Sequence, residues 1–116
     1  MENKREFKKY VDAVGGSITD EMMAAYYNIE GADREAISKA IQKVLCAVGT
    51  ARCHANTYFD RGAKSFADKK EYAKARRAFF RALFNKINND FAEAIQEALK
   101  EFNGAIPAAV KEANKA

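Results

Sequence analysis

Lys70, Lys74, Arg77 and Arg81 are the side chains whose type and spacing best suit chemistry with a partner. They stand 4, 3 and 4 residues apart, so a helix aligns them along one side over about 16 Å. Such a row can meet successive phosphates of a nucleic acid, and arginine adds paired hydrogen bonds to phosphate oxygens. Arg61, Lys64 and Lys69 extend it toward the N-terminus. No zinc-finger, helix-turn-helix or RNA-recognition pattern accompanies the row, and the nearby aromatics fall on the core side of the same helix, away from bases. The plainer alternative is a solvated face, since long surface helices need charges. The stretch from Lys74 to Phe84 also has the make-up of a basic amphipathic helix for an anionic membrane. Volume argues against that: in so short a chain its aromatics supply much of the core.

Cys46, Cys53, His54 and Asp60 are the one set offering a nucleophile, a base and an orienting group. Adjacent residues on a helix point about 100° apart, so Cys53 and His54 do not face each other. Two cysteines and a single histidine at this spacing match no usual zinc pattern, and the Glu-x-x-His of a di-iron bundle is missing. Phosphate-binding, dinucleotide-binding, serine-hydrolase and calcium-loop motifs are missing too. The expectation is a protein without enzymatic activity, with no metal, cofactor or small-molecule substrate. On one helix the two thiols would lie about 10.5 Å apart, beyond disulfide reach, which suits reduced cysteines in a cytoplasmic protein.

Cys46, Gly49 and Cys53 share a side opposite the apolar stripe of their helix, and Ala75, Ala78 and Ala82 form a second small-residue strip further along. A mid-helix glycine costs about 1 kcal/mol relative to alanine, and a helix accepts that where another backbone approaches. These surfaces suit a protein partner or a second copy of the chain; the alternative is that other helices of the same chain cover them. Arg76 falls between Tyr72 and Phe80 on the apolar side, so its head must reach water or a carboxylate.

The elements that must hold these residues are helical. The 116 residues include 23 Ala, only six Gly and one Pro, and 48% are hydrophobic, which excludes disorder, collagen, a disulfide scaffold and an all-β domain. One domain over 1–116, without repeats or linkers, fits the length. Gly15-Gly16, Gly31, Gly62 and Gly104 each follow a periodic segment as helix stops do. They predict five helices. A first runs over 3–14, and a second starts at Ser17 as its cap, with Asp20 completing a capping box. Two long helices over about 33–61, capped by Asp33, and about 66–103 form an antiparallel hairpin, flanked by the two short ones. Pro107 opens a short C-terminal helix. The opening residues lack the apolar core of a signal peptide, and no stretch is apolar enough to span a membrane. Net charge is +4, with the excess concentrated in 63–90, which carries eight basic and three acidic residues.

The function this predicts is that of a small interaction protein of the accessory or adaptor type, working through helix surfaces on another protein or itself. The second expectation is an electrostatic nucleic-acid binder using Lys70, Lys74, Arg77 and Arg81.

Overall fold

The computed structural model describes residues 4–57, 59, 62 and 65–107. Three helices make up the described chain: α1 (Lys4–Asn28), α2 (Arg34–Ala55) and α3 (Lys69–Ala105). Their starts are chemically marked. The Asp33 carboxylate accepts from the backbone N–H of Ala36 at 3.1 Å, and Asp68 accepts from that of Glu71 at 2.8 Å, each satisfying an orphan donor of a first turn. Gly31 makes the turn between α1 and α2 with φ +82°, a left-handed conformation that other residues enter at a cost.

The all-helical class holds, but the two short N-terminal helices expected beside the hairpin do not: a single helix, α1, takes their place. Gly15-Gly16 does not end a helix, and Ser17 and Asp20 lie inside α1 instead of capping a second one. The physical reason is a neighbour. A Cβ on Gly15 would collide with Val48 Cγ2 of α2, so glycine here lets two helices approach closely. Within the continuous helix the Thr19 hydroxyl donates back to the Gly15 carbonyl at 2.8 Å. The helix expected to reach residue 61 stops at Ala55, with Asn56 as its C-cap. The chain beyond returns onto α3, where Phe59 packs against Phe66, Tyr72 and Phe79 at ring separations of 5.3–6.1 Å. The short helix expected after Pro107 lies outside the described residues.

Consecutive helices run antiparallel, with α2 in the middle. Asp12 of α1 pairs with Arg52, and Arg34 Nε donates to the Tyr26 carbonyl at the other end. On the other side Lys43 bridges to Glu101, and the Asp33 N–H donates to the Ala105 carbonyl at 3.0 Å. α1 and α3 meet through Phe7 on Phe84 and Tyr10 on Phe91, with centroids 5.3 and 6.4 Å apart.

The core follows the apolar stripes. Phe7, Val11, Met22, Ile37 and Val44 are fully buried, and no buried polar or charged side chain occurs among the described residues. Alanines at 40, 47, 51 and 55 keep α2 thin where its neighbours press on it. Every buried residue of α3 lies at or after Phe84. At 1.5 Å per residue α3 is about 55 Å long against about 33 Å for α2, so its first half projects past the bundle. The molecule measures 64 × 25 × 18 Å.

Candidate functional site

The projecting half of α3 carries the basic ladder. Lys70, Lys74, Arg77 and Arg81 are all exposed, and among the described residues none of them pairs with a carboxylate. At 100° per residue Phe79 stands about 180° from Lys70 around the helix. The aromatic cluster therefore lies on the side opposite the ladder. The rings of Phe59, Phe66, Tyr72 and Phe79 pack on one another, which braces the projection where α2 no longer reaches it. Arg76 is exposed, as an arginine whose head reaches water would be, and its guanidinium also lies 5.0 Å from the Phe80 ring centroid in a cation–π contact. Of the ladder's suggested extension, Lys69 opens α3 and is exposed, while Arg61 and Lys64 lie outside the described residues.

A second basic group, not expected from the sequence, arrives at the same end. Lys4, Arg5, Lys8 and Lys9 line a groove of about 430 Å³ with Asp12 and Arg52. Lys8 is fixed by donating to Asn56 Oδ1, and Arg52 by its pair with Asp12. Because α1 and α3 run parallel, with Phe7 against Phe84, the start of α1 sits at the root of the projection. The charge is polarised in consequence. Residues 4–16, 46–57 and 65–88 form one end with twelve basic and four acidic side chains; residues 17–45 and 89–107 form the other with four basic and nine acidic. The sequence signal for this was the run Lys4-Arg5, Lys8-Lys9; only the packing brings it beside the ladder.

At the acidic end Lys43 reaches from α2 to Glu101 at 2.5 Å and Glu97 at 3.5 Å. The hydrogen bond to Glu101 raises its pKa above the ordinary lysine value of 10.5, against a smaller effect of desolvation, and both carboxylates add to the rise.

The small-residue surfaces divide. Cys46, Gly49 and Cys53 lie open on α2: both thiols are exposed and free, and a Cβ on Gly49 would meet nothing within 4 Å. Among the described residues, then, no other helix covers that side. Ala78 and Ala82 are exposed and Ala75 half-buried, but they belong to the projecting half of α3, beyond the end of α2. The structure does not bring the two strips together. Beside Cys46, the groove between α2 and α3 holds about 310 Å³ over Ala47, Ala51, Phe91 and Ala94.

His54 is exposed on α2 beside Cys53, and Asp60 lies outside the described residues. No group of three or more His, Cys, Asp or Glu side chains is arranged to hold a metal ion among the described residues. No described helix is long and apolar enough to cross a membrane. Comparison with protein-family models, with curated proteins and with solved structures gives no match to this chain.

Proposed function

We propose that the protein is a non-enzymatic nucleic-acid binder that engages duplex DNA through its basic end. The observation that carries this is the ladder itself: four exposed cations on one side of a helix that stands clear of the bundle. A single helix about 10–12 Å across matches the roughly 12 Å width of the B-DNA major groove. Lys and Arg along its edge then neutralise phosphates of the flanking strand, and the cluster at Lys4, Arg5, Lys8 and Lys9 adds contacts at its root. Single strands are the weaker fit, because the rings near the ladder are packed on each other on the opposite side and offer bases no platform there.

The test is fluorescence anisotropy with duplex DNA over a series of salt concentrations. Wild type should bind with a slope of more than about four released counterions, and Arg77→Glu with Arg81→Glu should weaken binding and flatten the slope by about 0.9 per lost contact. Both positions are exposed, so the helical circular-dichroism signal should stay unchanged. Absence of binding at physiological salt, or an unaltered slope, defeats the reading.

A protein partner working through helix surfaces is the second reading, favoured by the uncovered side of α2, where Leu45 is 57% exposed beside Cys46 and Gly49.

A further inference from the structure

The free surface of the projecting half of α3, residues 69–83, is chemically simple. Its ten exposed side chains are six cations, three alanines and Glu71. Asparagine, glutamine, serine and threonine, whose amides and hydroxyls read base edges, do not occur in this stretch. The first exposed asparagine is Asn85, past Phe84, where α1 already lies alongside.

The alanines follow the ladder step by step. Ala75, Ala78 and Ala82 come one position after Lys74, Arg77 and Arg81, so they repeat the ladder turned about 100° around the helix. At the root of the projection the opposite flank is closed, because Phe84 lies about 60° from Arg81 in the other sense and receives Phe7 of α1. A groove therefore receives this helix with the ladder at its rim and Ala78 and Ala82 turned inward.

We infer that the ligand of the basic end is a B-form duplex of any sequence, selected by the width of its major groove and by the charge along one strand; this rests on the DNA binding proposed above and adds what that site selects. Methyl groups offer base edges no hydrogen bond, and their small size lets the helix enter deeply. Arg77 and Arg81 share one row with Lys70 and Lys74, so the pose that sets the lysines on phosphates sets the arginines there too, away from guanine. Phosphate contacts fix position and carry no sequence information. Selectivity is left to shape. The major groove of B-DNA, about 12 Å wide, admits a helix, whereas that of A-form RNA is deep and narrow and leaves the ladder fewer phosphates within reach.

Competition for a labelled DNA duplex at one salt concentration tests this. Unrelated DNA duplexes of equal length and composition should displace it within about threefold of one another, where a base-reading site would lose about fivefold or more for each wrong pair. An RNA duplex of the same sequence should compete about tenfold less well. Ala78→Trp fills the inward side, so it should lower DNA affinity to the RNA level and leave RNA affinity unchanged; Ala78 is exposed, so helicity should persist. A tenfold preference for one DNA sequence, RNA that competes as well as DNA, or DNA binding untouched by Ala78→Trp overturns this selectivity while DNA binding itself stands. Failure of every duplex to bind defeats both.

Discussion

Gly15, Gly16 and Gly49 all sit inside long helices, yet their surroundings give them opposite consequences. Alanine at Gly15 gains about 1 kcal/mol in helix propensity but drives its methyl into Val48, and overpacking of that kind costs about 1–3 kcal/mol. Chemical denaturation should therefore show Gly15→Ala destabilised, while Gly16→Ala, with nothing within 4 Å, should be stabilised by about 0.5–1 kcal/mol. A stable Gly15→Ala would mean that Val48 can yield. The same contact explains why the glycine pair misreads as a helix stop. Along the chain two glycines after Val14 weaken a helix, and the side chain that rewards one of them lies 33 residues away on α2. Lys43 is a residue whose effect has a pH window. Its pKa is raised in the folded state, so the Glu101 and Glu97 contacts stabilise fully below 10.5 and are lost as pH rises through the raised value. The melting-temperature gap between wild type and Lys43→Gln should narrow over that alkaline range; a gap that widens there would contradict the pairing.

The start of α2 was legible because capping is local: Asp33, expected as its cap, accepts from an N–H three residues away, as Asp68 does at the start of α3. The last long helix, expected from about 66, starts at Lys69, where Asp68 supplies the cap. The end of α2 was not legible, because the apolar stripe continues through Ala55 to Phe59 and only the fold shows that Phe59 serves the aromatic cluster instead. The projecting half of α3 holds no buried residue, so its order rests on its cap and on those rings. Asp68→Ala should cost about 1 kcal/mol, felt locally. Hydrogen exchange should quicken through the first two turns of α3 while the protection of 84–98 is unchanged. Uniform loss along the whole helix would mean that the projection and the bundle unfold as one unit.

At the scale of the molecule the radius of gyration is 19.2 Å, against about 13 Å for a compact domain of this length. The elongation comes from α3 outrunning its neighbours, and it separates the basic end from the acidic one. The sequence gives the ladder's spacing correctly and the structure leaves all four of its residues exposed. It does not reveal the polarity, because Lys4, Arg5, Lys8 and Lys9 reach the same end only through the packing of Phe7 on Phe84.

The order of packing, α1 on α2 and α2 on α3, has a consequence for how the chain assembles. The main interfaces join helices that are adjacent in sequence, so few contacts require a long loop to close and the contact order is low, the condition for rapid folding. The short turn at Gly31 leaves α1 and α2 little loop to close, and α3 joins the core only from Phe84 onward, so its basic half adds no long-range closure of its own.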